Sequence, residues 1–383
     1  MMNEYTNKLD IAKEKIINDV CNQLDIVKTM LKKDEVNKSC DFNKKLNLAY
    51  NRIIFGAPGT GKSYRLKKDI QSNKLDKLFR RVTFYPNYTY SQFVGSYKPV
   101  GKTIVENNIE REVVTYEFVP GPFLNVLIEA LKDEKNEIPH ILIIEEINRA
   151  NPAGVFGDVF QLLDRDLNGD STYKISMSNE MKKYVCKELN KNIEELYIPS
   201  NMYIWATMNS ADQGVYPMDS AFKRRWSFEY IGIDENQEFL KGSNCEFIKL
   251  KNESGGYTKY EWNTVRTEIN RKLKDIKVNE DKLLGPFFLN ESEIMKSEQS
   301  NIEFDNIFKS KVLMYLYEDI LKHKKSDFFS IEVQNFSDII KAYDSGDVFN
   351  FKIESYREIE YDLEESSNYS IASEEESPFE IKE

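Results

Sequence analysis

Residues 56–63 read Gly56-Ala57-Pro58-Gly59-Thr60-Gly61-Lys62-Ser63. This stretch fits the pattern GxxxxGK[ST], in which glycines let the backbone turn round a phosphate and aim successive N–H groups at it. An apolar strand precedes it and a helical stretch follows, so the N-terminus of that helix adds its partial positive charge. We expect Lys62 to reach the β- and γ-oxygens and Ser63 to bind Mg²⁺. The stretch predicts a nucleotide-binding site.

A second signal lies in residues 140–146, which read HILIIEE. A fully apolar run that ends in two acids is typical of a buried central strand, and it would deliver both carboxylates to the carboxyl edge of a parallel sheet. There Glu145 can hold the metal, and Glu146 can orient or deprotonate the attacking water. Many strands end in acids, so this interpretation depends on the P-loop that precedes it.

A third strand-like run, residues 202–207, leads into MNSAD at residues 208–212. Asn209, at a strand end beside the acid pair, is predicted to place the water relative to the γ-phosphate, and Asp212 belongs to the same candidate site. The alternative is a structural turn, because Asn and Asp side chains often bond to nearby backbone.

Three consecutive cations, Lys223, Arg224 and Arg225, follow this element. At a helix end they can simply complement the helix dipole. The sharper interpretation is an arginine finger, in which Arg224 or Arg225 reaches the γ-phosphate held by a neighbouring subunit and accelerates hydrolysis by orders of magnitude.

Strand-like and helical stretches alternate between about residues 49 and 232, and the pattern then changes to helices. Strands that alternate with helices predict a parallel sheet covered on both faces. The predicted fold class is therefore α/β, a P-loop core with a C-terminal helical lid. The expected units are an N-terminal helical segment (1–48), the nucleotide-binding core (49–232), the lid (233–345) and an acidic, disordered tail (346–383).

The chain of 383 residues has 53 basic and 64 acidic side chains, with the acidity concentrated near its end. Residues 354–383 hold eleven acidic and two basic side chains, which suits a solubilising end, a docking tail or a mimic of nucleic-acid phosphate. The four Cys are widely separated and there are two His, so neither a disulfide framework nor a zinc cluster is expected. No apolar run suits a membrane helix. We expect a soluble, cytoplasmic protein.

These motifs together resemble the McrB-like AAA+ NTPases, the motor subunits of modification-dependent restriction systems. The similarity is carried by GAPGTGKS, by IIEEINRANPAGVFGDVFQLLDRD (143–166) and by ATMNSADQGVYPMDSAFKRRWSF (206–228). It includes residues 84–99 and 116–123, and it extends weakly to KLLGPFF (282–288), which is similar to a lid motif.

The resemblance implies an AAA+ core that assembles as a homo-oligomer, a hexameric ring with nucleotide and Mg²⁺ between subunits. Asn148 and Arg149 would join the site, with Arg149 acting across the interface. It also implies a McrC-like partner that carries the nuclease, and DNA engaged through the complex. Two departures matter: Glu145 stands where many AAA+ proteins have Asp, and residues 1–48 are too few to hold a flipped base. Methylcytosine recognition by this chain is therefore not expected.

The nucleotide stays open between GTP and ATP, although the resemblance favours GTP. Residues 73–76 read NKLD and match the guanine motif NKxD literally. They fall just beyond the P-loop helix and not at the end of a later strand, so we interpret the match as a coincidence.

The predicted function is a Mg²⁺-dependent NTPase that acts as the ring-forming motor of a McrBC-like DNA-restriction or anti-phage defence system. One alternative is a MoxR-like or dynein-related AAA+ ATPase that remodels a protein client. Another is a nucleotide-gated scaffold that binds nucleotide but hardly turns it over.

Overall fold

The computed structural model describes residues 45–106, 109–211, 214–243, 246–322 and 324–356. The predicted N-terminal helix, most of the acidic tail and Asp212 lie outside the described residues. The chain divides into two compact units. The first runs to Glu238 and also contains Val278–Phe288, and the second comprises Phe239–Lys277 and the chain from Leu289 onward.

The secondary structure follows the predicted alternation in its first half. In chain order the strands are β1 (Asn51–Gly56), β2 (Phe79–Thr83), β3 (Gly95–Glu106), β4 (Ile109–Pro120), β5 (His140–Glu145), β6 (Ile175–Ser176), β7 (Glu195–Leu196), β8 (Met202–Asn209), β9 (Ser227–Tyr230), β10 (Phe247–Lys251) and β11 (Tyr257–Glu261). The helices are α1 (Lys62–Ser72), α2 (Tyr90–Phe93), α3 (Pro122–Asp133), α4 (Pro152–Phe156), α5 (Asn179–Leu189), α6 (Ser220–Lys223), α7 (Trp262–Asp275), α8 (Glu291–Gln299), α9 (Asn301–Ile307) and α10 (Phe336–Asp344), with π-helical stretches at Phe308–Leu313 and Leu316–Ile320.

The first unit is built on a five-stranded sheet with the order β2-β5-β8-β1-β9, in which every neighbouring pair is parallel. Parallel strands bring their carboxyl ends to the same edge. At that edge the register pairs Gly56 with Asn209 and Thr83 with Glu145. The α/β fold class is confirmed, and the sheet brings the motifs from β1, β5 and β8 together.

Helices cover both faces of this sheet, and β8 shows how. Met202, Ile204 and Ala206 belong to one apolar cluster, whereas Tyr203 and Trp205 belong to the other. Successive side chains of a strand point to opposite faces. Helix α3 contributes to the first cluster and α1 to the second. Residues 202–206 of this strand are all apolar and buried because neither face meets water there.

Strands β3 and β4 form an antiparallel hairpin that the sequence analysis did not predict. Each strand has 12 residues, and the pairing runs from Gly95 opposite Pro120 outward. Large side chains on it are open to solvent: Val114 is 71% exposed and Tyr116 is 62% exposed. Apart from its base, where Phe118 packs against the core, the described side chains of the hairpin are half-buried or exposed, so it lacks the strong apolar alternation that marks a strand in sequence.

The second unit is less purely helical than predicted, because β10 and β11 pair as an antiparallel hairpin alongside α7 to α10. The division also falls after Glu238 and not near residue 232. Residues beyond 230 still belong to the core, since Ile231 N–H donates to Phe55 O and Asn236 Nδ2 donates to Thr60 O.

Residues 346–356, which the sequence analysis assigned to the tail, fold within the second unit. Phe349 and Phe351 stack with ring centroids 5.2 Å apart, and both contact the ring of Phe328. Tyr356 N–H donates to Lys259 O. Residues 346–356 therefore belong to the second unit, and the rest of the predicted tail lies outside the described part of the chain. Within the described part of the chain, no helix combines the length and apolarity needed to cross a membrane.

Candidate nucleotide-binding site

The P-loop leaves β1 at Gly56 and enters α1 at Lys62. Gly59 and Gly61 have φ angles of +76° and +91°. Glycine occupies this left-handed region without the steric penalty that a Cβ imposes. The loop can therefore close tightly enough for α1 to begin at its end, which is the arrangement that binds phosphate at a helix N-terminus.

Lys62 is buried in the P-loop, with 8% of its surface exposed. Its Nζ donates to Gly56 O at 3.0 Å, to Ala57 O at 2.8 Å and to Asn209 Oδ1 at 2.7 Å. A buried ammonium needs such acceptors, because an unpaired charge away from water is costly. The structure thus brings the ends of β1 and β8 to one point, with Lys62 and Asn209 in direct contact.

Three side chains bond to the carboxylate of Glu145. Ser63 Oγ donates to Oε2 at 3.0 Å, Thr207 Oγ1 donates to the same oxygen, and Arg81 Nη1 lies 2.7 Å from Oε1. A carboxylate and a hydroxyl are oxygen ligands of the kind that Mg²⁺ prefers, and Mg²⁺ is usually held by one or two carboxylates plus substrate phosphates. The residues present at Ser63 and Glu145 therefore fit Mg²⁺.

Glu146 adopts a left-handed backbone conformation, with φ 56° and ψ 47°. Its N–H donates to Thr207 Oγ1 at 3.2 Å, and its Oε2 lies 3.6 Å from Arg149 Nε. A residue with a Cβ occupies this region at a cost of about 1–2 kcal/mol, so the surrounding structure must enforce it. Such strain concentrates at functional sites, and here it turns the second acid away from the line of the strand.

Asn148 connects the turn after β5 to the end of β8. Its Nδ2 donates to Asn209 O at 2.7 Å, and its own carbonyl accepts the N–H of Tyr216 at 2.8 Å. The residue is 3% exposed. Asn148 therefore holds the backbone of Asn209, whose side chain in turn contacts Lys62. Arg149, the next residue, is 45% exposed and lies beside Glu146.

Arg225 is engaged within its own chain. Its Nε and Nη2 donate to Asp164 Oδ2 at 2.9 and 2.7 Å, its Nη1 donates to Ala221 O, and its guanidinium lies over the Phe160 ring. Only 8% of the side chain is exposed. In sequence, Arg225 and Arg224 are equal candidates for the finger. In the structure, the Arg225 guanidinium would have to break these bonds to reach a neighbouring subunit.

Arg224 differs from Arg225 in every respect that matters here. It is exposed at the end of α6. Among the described residues, its guanidinium makes no hydrogen bond or ion pair. Asp212, the remaining candidate, lies outside the described residues.

Two of the described residues bond to the acid pair but are absent from the predicted site. Thr207 Oγ1 donates to Glu145 and accepts the N–H of Glu146, and Arg81 forms an ion pair with Glu145. Thr207 could have been found, since it stands two residues before Asn209 on the same strand and so points to the same face. Arg81 lies on β2, where no motif marks it.

The NKLD residues (73–76) directly follow the C-terminal end of helix α1. Asn73 follows the last residue of α1, and its Nδ2 donates to Asp69 O at 2.8 Å. Since a helix rises about 1.5 Å per residue, the length of α1, roughly 16 Å, separates this turn from Lys62. The interpretation of NKLD as a coincidence agrees with this placement.

Comparison with known proteins supports the nucleotide-binding assignment. Residues 51–226 match the sequence family described as AAA domain (dynein-related subfamily). The chain is 45% identical over 331 residues to the type II restriction enzyme BsuMI component YdiS of Bacillus subtilis (strain 168), a match that covers 82% of this chain and 91% of that protein.

A second relative is the type IV methyl-directed restriction enzyme EcoKMcrB subunit of Escherichia coli (strain K12). It is 32% identical over 211 residues, which cover 53% of this chain and 40% of the relative. The matched family, these two relatives and the P-loop on a five-stranded parallel sheet agree with the resemblance read from the motifs. The chain belongs to the McrB-like AAA+ P-loop NTPases, which are related to components of restriction systems.

Proposed function

We propose that this chain hydrolyses GTP or ATP with Mg²⁺ and serves as the ring-forming motor of a DNA-restriction system that defends against phage. It acts in the cytoplasm with a nuclease-bearing partner and engages DNA through that complex. The relatives support this proposal, since both are named as parts of restriction enzymes. The nucleotide preference is the first property to measure.

The observation that carries the proposal is the contact network around the P-loop. Three different strand ends supply the side chains of this network. Two neighbouring residues connect them, since Lys62 bonds to Asn209 and Ser63 bonds to Glu145. An arrangement with cation, amide, hydroxyl and carboxylate at one sheet edge suits phosphoryl transfer, where catalysis is mostly positioning and charge stabilisation.

Each side chain has a distinct part in the proposed reaction. Lys62 binds the β- and γ-oxygens, and Ser63 and Glu145 hold Mg²⁺, which neutralises charge on the phosphates when bound. Glu146 accepts the proton of the attacking water, and Asn209 orients that water. Arg149 lies next to Glu146 and faces outward, which suits a contact with the adjoining subunit.

We assign the trans-acting finger to Arg224. The site described above contains acid, amide and lysine, and its two exposed arginines lie against the acid pair: Arg81 bonds to Glu145, and Arg149 lies beside Glu146. Arg224 is exposed and Arg225 is bonded to Asp164. An arginine that stabilises transition-state charge can be supplied by a neighbouring protein, and in a ring every interface places one subunit's surface against the next one's site.

Mixing two inactive variants tests this assignment. Arg224→Ala subunits retain Glu146, and Glu146→Gln subunits retain Arg224, so a mixed interface can contain both groups. In a random 1:1 mixture roughly a quarter of the interfaces are of this kind. We expect each variant alone to be inactive and the mixture to recover hydrolysis, measured as phosphate release, to about that fraction of the wild-type rate.

Lys223→Ala is the matched control, because it removes the adjacent exposed cation and should keep its activity. Arg225→Ala is not an equivalent variant, since it leaves Asp164 without its partner and is expected to lower stability. A mixture that stays as inactive as its components, with oligomers still formed, would rule out trans action by Arg224.

The second candidate function is remodelling of a protein client. It is favoured by the matched family, which is described as dynein-related. The two functions differ in what stimulates hydrolysis. Stimulation by DNA together with the nuclease partner supports the restriction motor, whereas stimulation by a protein and indifference to DNA supports remodelling.

A further inference from the structure

The segment Leu283–Phe288 lies against the outer side of the P-loop. Gly285 N–H donates to Pro58 O at 2.9 Å, and Phe287 N–H donates to Gly59 O at 2.8 Å. Phe288 N–H donates to Gly285 O at 3.1 Å, so residues 285–288 form a β-turn. Pro286 occupies the second position of this turn, where proline is favoured, and the N–H groups on either side of it bond to adjacent carbonyls of the P-loop.

A third donor bonds to the next carbonyl of the P-loop. Asn236 Nδ2 donates to Thr60 O at 3.3 Å. The carbonyls of Pro58, Gly59 and Thr60 are thus all bonded on one side of the loop. A trans peptide unit is planar and points its N–H opposite to its C=O. Bonds to these three carbonyls therefore turn the N–H groups of residues 59–61 to the other side, where a phosphate is cradled.

The approach between the two backbones is close enough to require glycine on both sides. A Cβ on Gly285 would lie 2.3 Å from the carbonyl carbon of Gly59, and a Cβ on Gly59 would lie 2.4 Å from Phe288 N. Gly285 has no left-handed φ, so alanine would strain no backbone angle there. The three atoms nearest to that Cβ all belong to the backbone of the P-loop, which cannot rotate away as a side chain can.

The segment is also anchored away from the P-loop. Leu283 and Leu284, at the start of the segment, are fully buried. Partial desolvation, together with the nearby Glu280 carboxylate, raises the pKa of the Tyr230 phenol on β9 to about 12. A held segment can impose its geometry on the loop it contacts.

We propose that Leu283–Phe288 is a brace that sets the P-loop backbone for nucleotide binding, with Gly285 as a positioning residue that does not touch the nucleotide. The inference rests on the proposed nucleotide binding at residues 56–63. It gives KLLGPFF a physical role: the glycine allows the approach, and the proline spaces the two donors. On either side of this segment the chain continues into the second unit, at Lys277 and at Leu289.

Gly285→Ala tests the brace, with Gly232→Ala as the matched control because a Cβ on Gly232 meets nothing within 4 Å. Binding is measured with fluorescent GTP and ATP analogues in the presence of Mg²⁺. A misplacement of about 1 Å can cost up to 10²-fold at a site that depends on orientation. We expect Gly285→Ala to weaken binding by about tenfold or more and Gly232→Ala to bind as the wild type does. Equal affinities for the wild type and Gly285→Ala would overturn the brace, whereas no binding by the wild type would overturn the proposed function.

Hydrogen exchange gives a second readout that needs no variant of the brace. The amides of Gly285 and Phe287 exchange only when their bonds to the P-loop open. Nucleotide that fixes the P-loop should slow exchange in the peptide 283–288 of the wild type. At a concentration that saturates only the wild type, it should leave exchange unchanged in Lys62→Ala. If Gly285→Ala fails to fold, this measurement alone tests the brace. An exchange rate in peptide 283–288 that is the same with and without nucleotide would refute it.

Discussion

Glu146→Gln is expected to bind nucleotide normally and to lose hydrolysis by about 10²–10⁴-fold, the usual contribution of a general base. The amide has nearly the shape of the carboxylate but cannot accept a proton from water. The strained backbone of Glu146, with φ 56°, and the hydrogen bond from its N–H to Thr207 Oγ1 should both survive the change. Single-turnover phosphate release and equilibrium binding of a fluorescent analogue separate the two effects.

Glu188→Gln is the control for this variant, since Glu188 lies on α5 and pairs only with Lys132 among the described residues. It should leave both measurements unchanged. Hydrolysis by Glu146→Gln at the wild-type rate would remove Glu146 as the base. Loss of binding together with hydrolysis would mean that Glu146 supports the site's structure instead.

Lys62→Ala is expected to weaken nucleotide binding by roughly 10²–10⁴-fold. Hydrogen bonds to charged groups contribute about 1.5–3 kcal/mol each, and Lys62 is positioned to reach two phosphate groups. The substitution also removes the donor that Gly56 O, Ala57 O and Asn209 Oδ1 now share. Both effects act on the same loop, so the loss should appear in direct binding and not only in turnover.

Lys67→Ala provides the comparison, because Lys67 stands on the exposed side of the same helix α1. It has the same charge and helix propensity as Lys62, but it is not part of the P-loop. Its affinity should match that of the wild type. Full affinity in Lys62→Ala would contradict the assignment of residues 56–63 as the phosphate site.

The sheet and its edge could be predicted because their signals are local. Apolar runs bounded by glycines or acids mark β1, β5 and β8, and the carboxyl ends of parallel strands must meet at one edge. The prediction that Asn209 lies near the P-loop follows from strand order alone. Because β1 and β8 are neighbours in the sheet, Lys62 and Asn209 form a hydrogen bond although they are 147 residues apart.

Partners that depend on distant chain segments could not be predicted. Arg224 and Arg225 cannot be told apart by sequence pattern. Only the fold shows that Arg225 bonds to Asp164, which lies 61 residues earlier in the chain. Arg81 bonds to Glu145 from a strand that carries no motif. The contact between Gly285 and Gly59 joins segments that are more than 200 residues apart, and its only trace in sequence is a glycine before a proline.

Turnover per subunit, measured against protein concentration with Mg²⁺ and either GTP or ATP, tests the central claim most directly. The account requires a site that binds nucleotide in one subunit and is completed by Arg224 of the next. Turnover should therefore be negligible in dilute protein and rise steeply as subunits associate, in parallel with oligomer mass. A turnover that stays constant from the monomer upward, or that is absent for both nucleotides when oligomers have formed, would contradict it.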